Sequence, residues 1–261
     1  MAIPTIPSLL RDHLTELAKQ NMRLSGRGQW ESRTLDLEVN TLVRAEGSAR
    51  VRLGDTIVFA GIKFSLREPW PDRPTHGALS TSAEVRPIAG PNYSPGPPSP
   101  FSIELGRVVD RGIRESGCLD MESLCILPGE KVWNVNIDCH VLSDRGNLFD
   151  ACGLAAIAAL RTAILPGERF DVGDDQPLKL RKTPIICTYQ RVGGRFVYDA
   201  DHEEELGGDE RLSITLGDDN HVHSMQKGLK GALTHAEFEE LFEHAKKRSH
   251  ELREMLNQKV E

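Results

Sequence analysis

Residues 131–163, KVWNVNIDCHVLSDRGNLFDACGLAAIAALRTA, join two contrasting patterns at a short turn. Over 132–142 apolar and polar side chains alternate, and this period of two predicts a strand with one core face and one polar face. The turn Ser143-Asp144-Arg145-Gly146 leads into an alanine-rich segment, roughly 147–163, that lacks a polar stripe. A helix of that composition is buried on most of its sides. The segment therefore predicts a core strand followed directly by a buried helix.

The sequence before this unit is rich in strand-forming residues. Strands are predicted over 34–39, 49–53, 56–66 and 82–88. The turn Leu53-Gly54-Asp55 makes a hairpin of the second and third. Prolines exclude a helix from 67–74, and five prolines with two glycines make 90–100 a loop that leads into a helix near Ile103.

The sequence after Pro166 repeats this mixture of strands and helices. A linker rich in Gly, Asp and Pro covers 166–178, and further strands are predicted through 180–225. Thr234-His235-Ala236-Glu237 matches the capping box that opens a helix. At the other end of the chain, leucines at positions 10, 14 and 17 predict a short amphipathic helix. Strand groups that alternate with helices in this way indicate an α+β fold.

Composition limits the class of function. The 261 residues are 39% hydrophobic and 27% charged, as in an ordinary globular protein with a sizeable core. The formal net charge of −7 argues against a surface that binds nucleic acid everywhere, because affinity for phosphates comes from clustered Lys and Arg. Any contact with nucleic acid must therefore be a local basic patch.

Cysteine usage and the N-terminal residues indicate a cytoplasmic protein. The five cysteines are odd in number, form no C-x-x-C pair and lie mostly in apolar runs, so buried thiols are expected rather than disulfides or zinc. These are Cys118, Cys125, Cys139, Cys152 and Cys187. The chain begins Met1-Ala2-Ile3-Pro4 without a charged segment and a long apolar stretch, and no window approaches a membrane span.

The segment 104–115, ELGRVVDRGIRE, is the most informative for function. At about 100° per residue its apolar residues form one stripe, and Arg107, Arg111 and Arg114 lie together on the opposite face. Such a row suits a phosphate backbone, because each planar guanidinium donates two hydrogen bonds and keeps its charge. Periodicity alone favours the alternative, a solvated face with i,i+4 ion pairs of Asp110 with Arg114 and of Arg111 with Glu115.

Three other groups of residues have ordinary structural explanations. The run 203–211 carries six charges in nine residues around two glycines, which is typical of a solvated loop rather than a metal site. His221 and His223 have strand spacing without a third ligand nearby in the sequence, so no metal site is expected there. Gly193-Gly194 is explained by a hairpin turn between two strands.

Long stretches of the chain resemble the non-catalytic RNase PH-like subunit of the archaeal exosome, a member of the RNase PH family. The arginine-rich helix and its lead-in loop carry the resemblance most clearly, as GPNYSPGPPSPFSIE (90–104) and ELGRVVDRGIRES (104–116). It extends through SGRGQWESR (25–33), VRLGDTIVFAGIKFSLREPWPDRP (51–74), WNVNIDCHVLSDRGNLFDA (133–151) and HSMQKG (223–228). The similarity thus covers nearly the whole chain.

The resemblance implies an α+β fold of the RNase PH-like (ribosomal protein S5 domain 2-like) type, with two β/α lobes in one domain. It implies a ring subunit that alternates with a catalytic sister subunit in a hexamer of three heterodimers, to which RNA-binding cap subunits attach. The sister degrades RNA by 3′-to-5′ phosphorolysis, and Arg107, Arg111 and Arg114 would line the path of single-stranded RNA. No cofactor is implied on this chain, because phosphate and any Mg²⁺ belong to the sister's site.

The same resemblance divides the chain into four parts. An N-terminal helix and lead-in would cover 1–29, and the first lobe 30–166. A linker and strand would cover 167–190, and the second lobe with the C-terminal helix 191–261.

Two departures from active RNase PH-like proteins bear on catalysis. Active members hold phosphate at a strand-to-helix turn with glycines, then Ser or Thr, then Arg. Leu148 stands at that Arg position here, and Asn147 is expected to cap the helix. Active members also carry an Asp on a later strand. The alignment puts Arg211 there, although a slip of one or two residues would bring Asp209 into register.

These observations leave alternatives to a non-catalytic RNA-guiding subunit. One is a self-sufficient phosphorolytic exoribonuclease, another is a scaffold that never touches RNA, and a third is a eukaryotic ring subunit. The proline-rich loop adds Arg67, Arg73 and His76, which the resemblance brings towards the central channel of a ring.

Overall fold

A computed structural model describes residues 8–260, so the expectation drawn from the first residues about a leader segment lies outside the described part. One sheet comes from the first half of the chain. Its strands are Leu35–Val39 (β1), Gly47–Leu53 (β2), Thr56–Arg67 (β3), Ala78–Val85 (β4), Cys125–Leu127 (β5) and Lys131–Ser143 (β6). They lie in the order β1-β2-β3-β6-β4, with β5 paired to β6. The tight turn at Gly54, whose φ is +59°, makes the predicted hairpin of β2 and β3.

Strand β4 differs from its predicted position at 82–88. It begins at Ala78 and ends at Val85 because it pairs in parallel with β6, from Ala78 opposite Asn134 to Val85 opposite Val141. Pro87 then starts a short 3-10 turn, since proline cannot donate to the ladder. Long-range pairing with β6 therefore set the ends of this strand.

The second sheet comes from the other half of the chain and is antiparallel throughout. Its strands are Ile185–Val192 (β9), Arg195–Tyr198 (β10), Glu210–Leu216 (β11) and Val222–Leu229 (β12), in the order β10-β9-β11-β12. The predicted turn at Gly193-Gly194 joins β9 to β10, and both glycines have positive φ as such a turn requires. In the linker, Ile164–Leu165 (β7) pairs with Gln176–Pro177 (β8).

Five α-helices are present among residues 8–260. They are Ser8–Lys19 (α1), Pro100–Glu115 (α2), Leu148–Arg161 (α3), His202–Gly207 (α4) and His235–Val260 (α5). Helix α3 confirms the prediction of a helix buried on most sides, because every residue except Arg161 is buried. It packs on β2 and β3 of the first sheet and on β9 of the second. Gly153 allows the close approach to β9, since a Cβ there would lie 2.8 Å from Ile186 Cδ1.

Helix α2 bridges the two sheets along its length. Pro100 occupies its first turn, and the Ser99 hydroxyl accepts the Ser102 N–H as a cap. A Cβ at Gly106 would lie 3.3 Å from the backbone of Ala83 in β4, and one at Gly112 would lie 3.2 Å from Thr215 Oγ1 in β11. The two glycines thus allow the apolar face of α2 to pack closely against β4 and β11, and the arginine face points outward.

The cysteines largely follow the prediction. Cys118, Cys139, Cys152 and Cys187 are buried and all five thiols are free, but Cys125 is only half-buried. The expectation of five buried thiols is wrong at Cys125, because β5 is a three-residue strand near the surface. No helix within 8–260 combines the length and the apolar character that a membrane crossing needs.

Candidate nucleic-acid interface

The face of α2 that carries Arg107, Arg111 and Arg114 lines an open cleft of about 590 Å³. All three arginines are exposed, and the opposite face of the helix is buried. Gln226 of β12 lines the same cleft, so both halves of the chain contribute to it. The structure therefore brings together the three residues that the helical period predicted.

The three guanidiniums differ in how they are already held. Arg114 makes an ion pair of 3.0 Å with Asp110 and donates to the Leu79 carbonyl at 3.0 Å. Arg111 Nη1 donates to Gln226 Oε1 at 3.2 Å and makes no ion pair with Glu115 within residues 8–260. Arg107 has neither an ion pair nor a hydrogen bond from its side chain in the described part of the chain.

These contacts bear on the two explanations of the three arginines, which are phosphate binding and a solvated face with i,i+4 ion pairs. The predicted i,i+4 pair of Asp110 with Arg114 forms, but the predicted pair of Arg111 with Glu115 does not. Arg107 and Arg111 thus keep a full positive charge over the cleft. Only Arg114 has its charge compensated by a neighbouring carboxylate.

Arg211 lies beside the α2 cleft, where it contacts Glu104 of the cleft lining. Its side chain is 11% exposed, forms an ion pair with Glu104 of α2 and lies 4.1 Å over the ring of Phe149. Asp209 lies just before β11, is exposed, and pairs with Arg11 of α1 at 3.2 Å. Arg211 is therefore a cation packed between α2 and α3, and Asp209 lies at the surface.

The strand-to-helix turn lacks a charged ligand at Leu148, whose side chain is buried. Asn147 precedes it in a left-handed conformation with φ of +56° and makes no side-chain cap. The prediction of a capping Asn147 is wrong, because its amide donates instead to Asp150 at 3.1 Å and to Asp199 at 3.0 Å. A capping side chain needs extended backbone angles, which this residue does not have.

Buried ion pairs surround the turn. Asp199 is completely buried and accepts from Arg33 at 2.7 Å and from Arg27 at 2.9 Å. Arg23 and Glu204 form a buried pair at 2.6 Å. Although burial opposes ionisation of Asp199, the hydrogen bonds and charge of Arg33 hold its pKa below its usual range. These arginines are therefore committed to internal carboxylates.

The acidic run is not the solvated loop that the sequence predicted. Part of it forms α4, which has a capping box between Asp201 and Glu204. Glu204 and Glu210 are buried, and Glu210 pairs with Arg191 of β9 at 3.1 Å. The prediction is wrong because arginines distant in the sequence compensate these charges.

Two carboxyl groups near the turn hold protons more tightly than usual. Burial raises the pKa of Asp150 to about 7. Burial also raises the pKa of Glu205 to about 8, and the charge of Asp144 adds to this effect. The Asp150 carboxyl accepts a hydrogen bond from the side-chain amide of Asn147, and the Glu205 carboxyl accepts one from the backbone N–H of Asn147. The backbone N–H and the side-chain amide of Asn147 are therefore both engaged by internal carboxyl groups.

Among the described residues, Asp144, His202 and Glu205 bring one ligand atom each within 4.8 Å of one another. The Tyr93 hydroxyl donates to Asp144, and the Asn147 N–H donates to Glu205. The sequence gives no signal for this cluster, because about sixty residues separate Asp144 from His202 and Glu205. His221 and His223 instead both contact Asp219.

Of the basic residues in or beside the proline-rich loop, Arg73 is exposed and Arg67 and His76 are half-buried. Arg67 lies 4.5 Å over the ring of Trp70, which is itself exposed. Arg73 is exposed with a long 3.9 Å contact to Asp72, and His76 lies within hydrogen-bonding distance of Thr75. All three side chains have a neighbour within the chain, and all three lie outside the α2 cleft.

Two family models match most of this chain. The model of domain 1 of the 3′ exoribonuclease family, RNase_PH, matches residues 31–166, and that of domain 2, RNase_PH_C, matches 182–248. The chain belongs to the 3′ exoribonuclease family. Membership of the RNase PH family confirms the predicted RNase PH-like α+β fold.

Relatives and solved structures narrow the similarity within the RNase PH family. The chain is 44% identical over 248 residues to "Exosome complex component Rrp42" of Methanosarcina acetivorans, covering 95% of this chain and 93% of that protein. It is 44% identical over 255 residues to the protein of that name from Thermococcus kodakarensis, covering 95% and 94%. A chain of the Archaeoglobus fulgidus exosome with RNA bound to the active site matches with a TM-score of 0.92 at 44% identity, covering 95% of this chain and 98% of that one. A chain of an archaeal exosome core matches at 0.88 and 42% identity, covering 96% and 97%.

Proposed function

We propose that this chain is a non-catalytic ring subunit of an archaeal exosome that guides single-stranded RNA to a catalytic sister subunit. One observation carries the proposal. Arg107 and Arg111 line an open cleft and make no ion pair within residues 8–260, whereas Arg27 and Arg33 beside the turn at Leu148 are engaged by Asp199. The full-length similarity to archaeal exosome components supports the assembly.

The surroundings of Leu148 argue against phosphorolysis on this chain. Phosphate needs N–H donors and a cation, but the Asn147 N–H is taken by Glu205 at 2.8 Å. Arg33 and Arg27 are held by Asp199. A phosphate bound here would have to displace internal carboxylates from their arginines, which is costly for buried pairs.

Arg211 also argues against general acid–base chemistry on this chain. An arginine keeps its proton in proteins and cannot act as a base at neutral pH. Its pairing with Glu104 and its contact with Phe149 fill the space between α2 and α3. A single Arg211→Asp change would leave Glu104 unpaired and would not rebuild a catalytic site.

The cleft itself fits a sugar–phosphate backbone. Arg107 and Arg111 would contact RNA phosphates, and Arg114 would be a third, weaker contributor because Asp110 compensates its charge. Such contacts carry no base specificity. The subunit would thus hold RNA of any sequence on its way to the sister.

The assembly we propose is a hexameric ring of three heterodimers in the cytoplasm, with RNA-binding cap subunits on one face. Phosphate and any Mg²⁺ would bind to the sister subunit. Within this chain we assign a lead-in to 1–29, a first lobe to 30–166, a linker and strand to 167–190, and a second lobe to 191–261. The loop with Arg67, Arg73 and His76 would face the channel.

Purification of the chain with and without a catalytic sister tests this function. The nuclease-free chain alone should release no nucleoside diphosphates from RNA and phosphate, and the complex should release them. A complex with a phosphate-site variant of the sister, alongside wild-type chain, should be inactive. Robust phosphorolysis by the isolated chain would identify it instead as a self-sufficient enzyme. If replacement of Arg107 and Arg111 leaves RNA binding unchanged, the chain would be a scaffold that does not contact RNA.

A further inference from the structure

Gln226 lies beside Arg111 although Gln226 belongs to strand β12 of the second sheet and Arg111 to helix α2. It is a residue of β12 and pairs with Ser213 of β11. Its neighbour two residues along, Ser224, donates to Thr215, and Thr215 packs against Gly112 of α2. The inner face of β12 is thus pressed against α2, and Gln226 enters the arginine cleft from that face.

The contact between Gln226 and Arg111 is a neutral one. Arg111 Nη1 donates to Gln226 Oε1 at 3.2 Å and also points to the Met225 carbonyl at 3.4 Å. Both acceptors are uncharged, so the guanidinium is held without losing its charge to a partner. By contrast, Asp110 holds Arg114 through a carboxylate, which cancels most of the field that a phosphate would feel.

An arginine that is already held in position loses less conformational entropy when it binds a phosphate. A free arginine loses rotamer entropy when it closes on a phosphate, and a side chain that is already in position loses less. Arg111 uses only Nη1 for its internal contacts, so Nε and Nη2 stay available within residues 8–260. The Gln226 Nε2 group likewise donates to no described residue, and it lies in the same cleft.

We propose that Gln226 is a positioning residue for RNA binding, which holds the Arg111 guanidinium over the cleft and leaves its charge for a phosphodiester. The proposal rests on the function given above. It adds that the affinity of the α2 face depends on β12, a strand from the second sheet. An arginine row on an isolated helix would lack this arrangement.

Three variants in the assembled complex test the proposal by single-stranded RNA binding over a range of salt concentrations. Gln226→Glu should form an ion pair with Arg111, weaken binding and flatten the slope of log affinity against log salt by about 0.7. Gln226→Met keeps the size but removes the acceptor. It should weaken binding about 2- to 10-fold with an unchanged salt slope, because the charge remains but the guanidinium keeps only the longer contact with the Met225 carbonyl. Gln258→Glu, at an exposed position of α5, is the matched charge control and should bind like wild type.

A double-variant cycle separates positioning from a general effect on the fold. On the Arg111→Ala background, Gln226→Met should cause no further loss, because its effect passes through Arg111. An equal loss on both backgrounds would overturn the proposal, as would Gln226 variants that bind like wild type while Arg107→Ala/Arg111→Ala binds weakly. If the double arginine variant itself binds like wild type, the proposed function fails instead. Should Gln226→Glu not assemble, Gln226→Met carries the test.

Discussion

The α2 cleft and the turn before α3 both concentrate arginines, but they use them in opposite ways. Around the turn, Arg23, Arg27 and Arg33 are largely buried and each contacts one or more internal carboxylates. On α2, Arg107 has no internal partner within the described residues, and Arg111 has only neutral ones. The presence of arginine therefore says little about anion binding until its partners are known.

The difference has an electrostatic cause. A guanidinium paired with a carboxylate in a buried site has its charge cancelled, and removing either partner leaves an uncompensated charge in a medium that solvates it poorly. An exposed guanidinium stays solvated and exchanges water and counterions for a phosphate at little cost. The arginines of the turn are thus part of its internal structure, whereas Arg107 and Arg111 of the cleft keep their charge available for an anion.

The largest expected effect is on the turn. Asp199→Ala should lower the free energy of unfolding by about 3–5 kcal/mol, because it strips Arg33 and Arg27 of a buried partner. Chemical denaturation followed by circular dichroism measures this. The control is Asp36→Ala, which removes an exposed contact with Arg50 and should cost under about 1 kcal/mol. Similar losses for both variants would contradict the structural role of the turn.

The stability of the turn should also depend on pH. Burial raises the pKa of Asp150 to about 7 from 3.8, so between these values the folded state binds more protons than the unfolded one. The Asp150 contribution to the free energy of unfolding should therefore be complete below about pH 3.8 and be lost as pH rises through 7, which lowers stability between pH 5 and 8 by roughly 1–3 kcal/mol.

Asp150→Asn is the matched variant for this pH dependence. It stays neutral at every pH, so its stability should change less between pH 5 and 8 than that of the wild type. The burial-raised pKa of Glu205, about 8, leaves part of the slope in place. Thermal unfolding at fixed ionic strength gives both curves, and identical slopes would show that Asp150 ionises normally.

On the cleft, Arg107→Ala/Arg111→Ala should weaken RNA binding by the assembled complex roughly tenfold or more, because hydrogen bonds to charged groups are lost. The salt slope should flatten by about 0.7 for each contact removed. The loss should be the same for RNAs of different base composition. Ring assembly and thermal stability should stay near wild type, and decay by the sister should slow. Unchanged binding and slope would make this an ordinary solvated helix face.

The smallest effect is expected at Arg114. Arg114→Ala removes the pair with Asp110, which is worth about 0.3–0.5 kcal/mol of stability for an exposed i,i+4 pair. RNA affinity should fall less than in Arg107→Ala, because the Asp110 charge already compensates Arg114. Filter binding and thermal unfolding of the two single variants, side by side, check the ranking. A larger loss of RNA affinity in Arg114→Ala than in Arg107→Ala would contradict this ranking.

Local patterns were sufficient for much of the fold and for part of the cleft. Alternation over 132–142 and the missing polar stripe after Gly146 predicted β6 and the buried α3, since side-chain periods of 2 and 3.6 are properties of single elements. The same helical period placed Arg107, Arg111 and Arg114 on one face. Each of these predictions depends on residues within a few turns of each other.

Only the tertiary structure decided which of these charges are free. Arg23 meets Glu204 across 181 residues, Asn147 meets Asp199 across 52, and Arg111 meets Gln226 across 115. Because of such contacts two glutamates of an apparently solvated acidic run are buried, an expected helix cap bridges two carboxyl groups, and one arginine has a neutral acceptor. The sequence determined which residues share a face. Whether a charge on that face is cancelled or available depends on desolvation and on partners that folding brings from distant parts of the chain.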